Sequence, residues 1–400
     1  MIRLICMLLS LLLLTSCSNE KVNTSTEAIT KFIGNKYISE TGKVINPLDT
    51  TVKFVAYHET YVDEAFEILK AQIENYHKLV DSSNTYLDES GNRIVNIKVI
   101  NESYGTEEPI TVDPVLIEVI NEAKKMMKLS KGYFNMTLGS VISLYDGKFM
   151  NIDTINTDPP KEDLEEAMGC VVSVEEIDKI IEVDENNSTV TLHKKDSCNG
   201  KVEIQLGAYT KGYIASKIDE MLKSLNISYM IDLGASSILT HYGEKDTKNT
   251  WNVAIRSIYP EIPYQYVVLM DGSYSLSTSG DDQKYYFTET AEGTTVRRHH
   301  ILNPSTGYSE NHYRGVSVIA KNGNAGVLDV LSTVLYNVES IKERVEIVNA
   351  FEEAYDIEIG YGLVEESDDN RVILIMNEVM AKQAHKDYIG ENVKEILIEE

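Results

Sequence analysis

The chain reads as an α+β protein, one two-lobed domain of mixed and antiparallel sheets flanked by helices. Three observations predict this. Strand-like runs with period-two alternation recur along the chain, several of them joined by short polar turns as in antiparallel hairpins. Between them stand segments whose apolar residues repeat at helical spacing, long enough to cover a sheet face. The ordered part, about 370 residues, suffices for one large core or two lobes, and no internal repeat or low-complexity stretch divides it.

Residues 1–16 carry one early positive charge, Arg3, followed by an apolar run from Leu4 to Leu14, which is a signal peptide too short to span a bilayer. Leu14-Thr15-Ser16-Cys17 has the pattern of a bacterial lipoprotein box, in which cleavage leaves the cysteine as a lipid-bearing N-terminus. The expectation is therefore an exported protein held on the outer face of the bacterial cell membrane by lipid on Cys17, and touching the membrane only there. Residues 17–40 are read as the lipidated cysteine and a flexible polar tether, and residues 41–400 as the folded domain.

The formal net charge of -26 excludes sequence-independent nucleic-acid binding, which needs Lys and Arg against phosphates, and docking of the body on an anionic membrane. Of four cysteines, Cys6 leaves with the signal and Cys17 is lipidated, so no cysteine metal cluster is available. Cys170 and Cys198 remain as a disulfide or as two free thiols.

In chain order, 44–57 alternates as strand material around Pro47, and 63–80 is a helix with Ala65, Phe66, Leu69, Ile73, Tyr76 and Leu79 on its packing face. A polar turn leads to Tyr86, either a core aromatic or a platform for a planar ligand. Residues 94–101 fit a strand, and 114–129 a helix with Asp113 as N-cap and Gly132 beyond its end. Tyr133, Phe134 and Asn135 lie between Gly132 and Gly139, where backbone can approach a ligand closely. A short helix begins at Lys161 after Pro159-Pro160, and 171–192 forms a hairpin turning at Asn186-Asn187-Ser188.

Residues 202–206, ending in Gln205-Leu206, read as a strand, followed by the turn Gly207-Ala208-Tyr209-Thr210 and a helix from Lys211 through Leu225. A strand, a small-residue turn and a helix N-terminus can bind an anion, because first-turn amides are unpaired, and Lys211 adds a cation. The glycine spacing matches neither a Walker loop nor a dinucleotide fingerprint, and a plain strand-helix junction explains the pattern equally. Strands at 229–238, 251–255 and 264–269 follow.

Ser277-Thr278-Ser279-Gly280 ends a further strand with a cluster of hydroxyl donors, or with ordinary turn chemistry. Residues 285–287 and 296–302 pair as a hairpin that delivers His299-His300-Ile301-Leu302-Asn303-Pro304-Ser305-Thr306-Gly307 into a shaped turn. After a strand at 315–320, the helix 326–336 is apolar except for Asp329, Ser332 and Thr333, which share one face. A buried carboxylate beside hydroxyls suits an oxygen-ligated cation such as Mg²⁺, while capping or Ser/Thr back-bonding gives the same pattern. A helix at 341–355 and a hairpin of 357–364 with 372–376 close the domain.

Five stretches in this order resemble the FAD:protein FMN transferases, the ApbE family, across about residues 41–376. The most specific are Gly207-Ala208-Tyr209-Thr210-Lys211-Gly212-Tyr213, Ser277-Thr278-Ser279-Gly280, His300 to Gly307, and Asp329 to Thr333. The resemblance implies an ApbE-like, T-fold-related architecture, FAD as substrate and Mg²⁺ as metal. It implies FAD contacts at Leu48, Tyr86, Tyr133, Phe134, Asn135, Gln205, Thr278, Ser279 and Ile301, with Lys211 facing the phosphates. The metal ligands it implies are Ala208, through its carbonyl, with Asp329, Ser332 and Thr333, and His300 is the implied base, with His299 as the competing imidazole. Three positions depart from the family pattern: Asn135 and Gln205 where aspartates are usual, and Ala235-Ser236 where a glycine pair is usual.

The reaction this implies is Mg²⁺-dependent transfer of FMN from FAD to a Thr or Ser hydroxyl of a partner protein, with release of AMP. The implied acceptor belongs to a membrane-associated electron-transfer system. The rival readings are an FAD pyrophosphatase that releases FMN and AMP, and a flavin-binding lipoprotein without chemistry.

Overall fold

The structure is a computed structural model and describes residues 24–34, 36–149, 155–246, 250–290 and 293–399. The expected signal peptide and the expected lipidation site, Cys17, lie outside the described residues. Nine strands form the central sheet: β1 (Thr24–Phe32), β2 (Val52–His58), β3 (Tyr229–Leu233), β4 (Ser237–His241), β5 (Tyr274–Gly280), β6 (Gly315–Lys321), β7 (Ile359–Glu366), β8 (Val372–Asn377) and β9 (Val393–Glu399). Their order in space follows their order in the chain. Every neighbouring pair is antiparallel except β8 with β9, which is parallel.

The pleat sends alternate residues to opposite faces, and the two faces have different covers. Phe54, Ile231, Leu239, Val316 and Val318 face a core shared with α1 (Val62–Val80), α2 (Pro114–Leu129), α3 (Thr210–Leu222), α4 (Ala325–Asn337) and α5 (Ile341–Tyr355). Val55, Ile238, Leu276 and Ile319 face the other way, onto Trp251, Tyr266, Val268 and Met270. Those residues belong to a three-stranded sheet of Thr250–Ile255, Tyr266–Asp271 and Ala384–Ile389. The long insertion between β2 and β3 holds α1 to α3, which pack into that first core.

α3 and α4 cross at backbone distance because small residues stand at the crossing. A Cβ on Gly212 would lie 2.2 Å from the Ala325 carbonyl oxygen, and one on Gly326 would lie 2.7 Å from the Tyr209 ring. Asn324 starts α4 by accepting from the Gly326 and Val327 amides at 2.9 and 3.4 Å. The helix is apolar almost all round because it is buried between the sheet and α3.

Three expectations are corrected. Residues 94–101 are not a strand; Ile97–Glu102 is a short helix, whose N-cap Asn96 accepts from the Val99 amide at 3.1 Å. Ile97 and Ile100, three apart, are both buried. Residues 202–206 do not form a strand either. They make one bridge, Leu138 with Glu203, while the Asn101 side chain satisfies the Ile204 amide and carbonyl at 2.8 and 2.9 Å. The tether also ends early, because β1 pairs with β2 as an edge of the main sheet. Cys170 and Cys198, left open by the sequence, are joined by a disulfide.

Candidate active site

One cavity of about 700 Å³ opens where β5 ends and β6 begins, beside the start of α3, the middle of α4 and the turn that follows the 285–299 hairpin. That volume is within the ordinary range for small-molecule sites. Leu48, Tyr133, Phe134, Asn135, Gln205, Ala208, Lys211, Thr278, Ser279, His300, Ile301, Asp329, Ser332 and Thr333 all line it. These residues span the chain, so the fold gathers nearly every candidate that the sequence offers.

Asp329 is buried, at 5% exposure. The Ser237 hydroxyl lies 2.7 and 2.8 Å from its two carboxylate oxygens, and the Gly212 amide donates to one of them at 2.7 Å. Burial raises its proton affinity above the usual carboxylate range, against the opposing pull of Lys211 and these donors. Ser332 and Thr333 donate back to the Asp329 carbonyl at 3.0 and 3.3 Å, so the back-bonding alternative is what holds them here. Ser279 Oγ joins the same cluster, 2.8 Å from Ser332 Oγ.

Among the described residues no group of three or more His, Cys, Asp or Glu side chains could hold a metal ion. The set at Asp329 is of another kind: one carboxylate with the Ser332 and Thr333 hydroxyls and the Ala208 carbonyl on the same cavity wall. All are hard oxygen donors, and a lone carboxylate suits a cation that completes its shell with substrate phosphate and water. A buried carboxylate with raised proton affinity is also where a cation offsets the most desolvation. The donor chemistry therefore fits Mg²⁺.

The hairpin Tyr285–Glu289 with Thr295–His299 pairs Tyr285 with His299, which sets Lys284 opposite His300. The His300 amide donates to the Lys284 carbonyl at 3.1 Å. The His300 ring meets solvent through the cavity, yet the walls around it disfavour the imidazolium, and the Lys284 and Lys211 charges add to this. Together they hold its pKa down to about 4. His299 points the other way, fully buried, with Nε2 donating to the Glu310 carbonyl at 2.6 Å. Its burial lowers the pKa to about 3, and it does not line the cavity. Of the two imidazoles, only His300 can meet a ligand.

The turn after His300 is held by its own polar atoms. Gly307 has φ of 72° and donates to the Asn303 carbonyl at 2.8 Å, and a Cβ there would come within 2.7 Å of Leu164. Pro304 lines the cavity beside it.

Other candidates take more specific places. Asn135 spends its amide on the Val172 carbonyl at 2.8 Å and its oxygen on the Thr137 amide and hydroxyl at 2.9 and 2.8 Å, so it shapes the turn. Gln205 folds back to accept from the Gly207 amide at 3.0 Å. Thr278 and Ser279 fall on opposite faces of β5, with Thr278 Oγ1 2.9 Å from Ser317 Oγ, so they do not form one donor cluster. Tyr86 corrects the expected direct contact. It is fully buried behind the wall, with its hydroxyl 2.6 Å from Asp81.

Sequence reading missed Ser237, Lys284, His77 and the Arg256-Ser257-Ile258 corner, although all but Ser237 line the cavity and Ser237 holds Asp329. The register of the hairpin was a usable signal for Lys284. Nothing local marked Ser237 among the small residues that follow β3.

Residues 48–356 match the model of the ApbE family. A Vibrio cholerae protein named FAD:protein FMN transferase is 26% identical over 334 residues, covering 82% of this chain and 85% of that protein. One of the same name from Haemophilus influenzae is 25% identical over 313 residues, covering 75% and 80%. Among solved structures, the ApbE protein of Thermotoga maritima aligns with a TM-score of 0.65 at 22% identity, over 89% of this chain and 100% of that one. The flavin transferase ApbE of Vibrio cholerae gives 0.61 at 18%, over 89% and 99%. The solved structures thus share this fold.

Proposed function

This chain belongs to the ApbE family, and from that membership we propose that it is an FAD:protein FMN transferase, moving FMN from FAD to a Thr or Ser hydroxyl of a partner protein and releasing AMP. The observation that carries the reading is the convergence of His300, Lys211 and Asp329, from a hairpin, a helix start and a buried helix, on one cavity. The names of the relatives support the same activity.

In the reaction the acceptor oxygen bonds to the FMN phosphorus, and the bond from that phosphorus to the bridging oxygen breaks with its electron pair leaving on AMP. His300 takes the proton of the acceptor hydroxyl, since its depressed pKa keeps the ring neutral at pH 7. A pyrophosphate beside Lys211 and Lys284 offsets the two charges that depress it, so binding of FAD raises the basicity of His300 when the proton must be taken. Lys211, in the first turn of α3 and lining the cavity, faces the phosphates. Ala208, Asp329, Ser332 and Thr333 would hold Mg²⁺, which when bound supplies charge to the phosphate oxygens.

Incubation of the purified protein with FAD, Mg²⁺ and an acceptor bearing the flavinylation motif tests the proposal. The acceptor should gain the mass of FMN less water, with AMP released in equal amount. FMN and AMP set free, with the acceptor unchanged, would make the protein a pyrophosphatase instead; intact FAD would make it a flavin binder. Asp329→Ala should abolish transfer, and full activity of that variant under chelation would sink the metal assignment.

We further propose that the enzyme is exported and lipid-anchored at Cys17, beside an acceptor in a membrane electron-transfer system. The lipobox pattern supports this, as does the Cys170–Cys198 disulfide, a feature of oxidising compartments.

A further inference from the structure

We infer that His77 is a positioning residue for the cavity: its Nδ1 holds the left-handed corner at Leu48 and Asp49 that forms one wall, and its Nε2 ties that corner to Tyr86 and Asp81. The inference rests on reading the cavity as the FAD site. Leu48, Asp49, His77 and Asp81 all line it.

The corner is strained. Leu48 and Asp49 have φ of 53° and 52°, and two successive non-glycine residues in the left-handed region persist only where neighbours over-determine them. What holds this corner is a chain of hydrogen bonds whose directions are all fixed. The Leu48 amide donates to His77 Nδ1 at 3.3 Å, so that nitrogen carries the lone pair and Nε2 carries the proton. Nε2 is 3.1 Å from the Tyr86 hydroxyl, which therefore accepts. Tyr86 in turn donates at 2.6 Å to Asp81, which as a carboxylate can only accept.

Asp81 is itself pinned, accepting from the Ser83 and Asn84 amides at 2.7 and 3.0 Å. The relay thus runs from a strained wall residue, through two buried rings, to a carboxylate fixed at the end of α1. His77 occupies the buried stripe of α1, four residues after Ile73 and eight after Leu69, where an apolar side chain would serve packing alone. Burial lowers its pKa, with the charges of Asp81, Asp49 and Lys78 around it, so Nδ1 stays bare at neutral pH. The relay also gives Tyr86 a task that suits its position behind the wall.

The test uses amide substitutes for each ring nitrogen in the full protein. In His77→Asn the side-chain oxygen takes the place of Nδ1 and can still accept from Leu48; in His77→Gln the amide nitrogen takes the place of Nε2 and can still donate to Tyr86. FAD affinity is read by flavin fluorescence with Mg²⁺ present, beside kcat, KM and thermal unfolding. His77→Asn, which loses the tie to Tyr86 but keeps the corner, should weaken FAD binding clearly less than His77→Gln, which frees the corner and should bind FAD about tenfold more weakly, the scale of one lost hydrogen bond. The rise should appear in KM more than in kcat at saturating FAD. Equal weakening in both variants, tracking their loss of stability, would overturn the inference, as would no weakening in either.

Hydrogen exchange at the Leu48 amide reads the same contact without ligand. It should be slow in wild type and His77→Asn and fast in His77→Gln. If wild type fails to bind FAD, the FAD reading falls while this exchange pattern still decides the role of His77.

Discussion

The acid limb of the rate profile is the sharpest test of the site. In the free enzyme His300 has a pKa of about 4, lowered by the enclosing walls and by Lys284 and Lys211. The sign follows: the neutral base is present at pH 7 and is lost only as pH falls through about 4. At pH 5.5 about 97% of the ring would be neutral, against roughly a tenth for an ordinary histidine, so kcat/KM should exceed the ordinary expectation about tenfold there. Lys284→Met removes the second of the causes and should move the limb upward, towards 6.5. The assay is initial-rate acceptor flavinylation from pH 4.5 to 8 at subsaturating FAD, each variant scaled to its own rate at pH 7.5. Circular dichroism confirms folding at each pH, and titration of FAD is common to both proteins and cancels. The kcat profile should break at higher pH than that of kcat/KM, because bound pyrophosphate offsets the lysines. A wild-type limb near 6.5 in folded protein, or an unmoved limb in Lys284→Met, would refute this account of His300.

Three further outcomes follow from neighbouring geometry. Ser237→Ala strips the hydroxyl that reaches both carboxylate oxygens of Asp329; chemical denaturation should show a loss of about 1.5–3 kcal/mol without Mg²⁺ and less at saturating Mg²⁺. Gly212→Ala places a Cβ 2.2 Å from the Ala325 carbonyl oxygen, so α3 and α4 must separate; the cost should be about 1–3 kcal/mol or more, with metal-dependent activity falling alongside. His299 is buried neutral, so its contribution to stability is complete above its unfolded pKa near 6.5 and is lost as pH falls towards about 3. His299→Gln keeps a donor for the Glu310 carbonyl and removes the titration, and should shift the midpoint of acid unfolding to lower pH.

Much of this was legible because the signals were periodic. The α1 and α2 stripes, the 285–299 hairpin and the closing hairpin each follow from local alternation, and His300, Lys211 and Asp329 stood out as polar residues in apolar or turn settings. The failures have a common physical cause. Residues 202–206 alternate like a strand, but their backbone partners are the Asn101 side chain, the Gly139 amide and the Met136 carbonyl, far away in sequence. Residues 97–102 are too short for two periods to be told apart, and a cap at Asn96 decided the matter. Ser237 and His77 matter through what they touch across the fold, Asp329 and Leu48, and no window of sequence contains either pair.

The early start of β1 changes how the proposed anchor works. Were Cys17 to carry the proposed lipid, only six residues, 18–23, would separate it from the sheet edge at Thr24, and a chain of that length spans at most on the order of 25 Å. A protein so anchored would patrol a thin layer above the bilayer instead of sweeping a wide volume. Its acceptors would be met by lateral diffusion of lipid-borne neighbours, and a hydroxyl held high above the membrane would pass out of range.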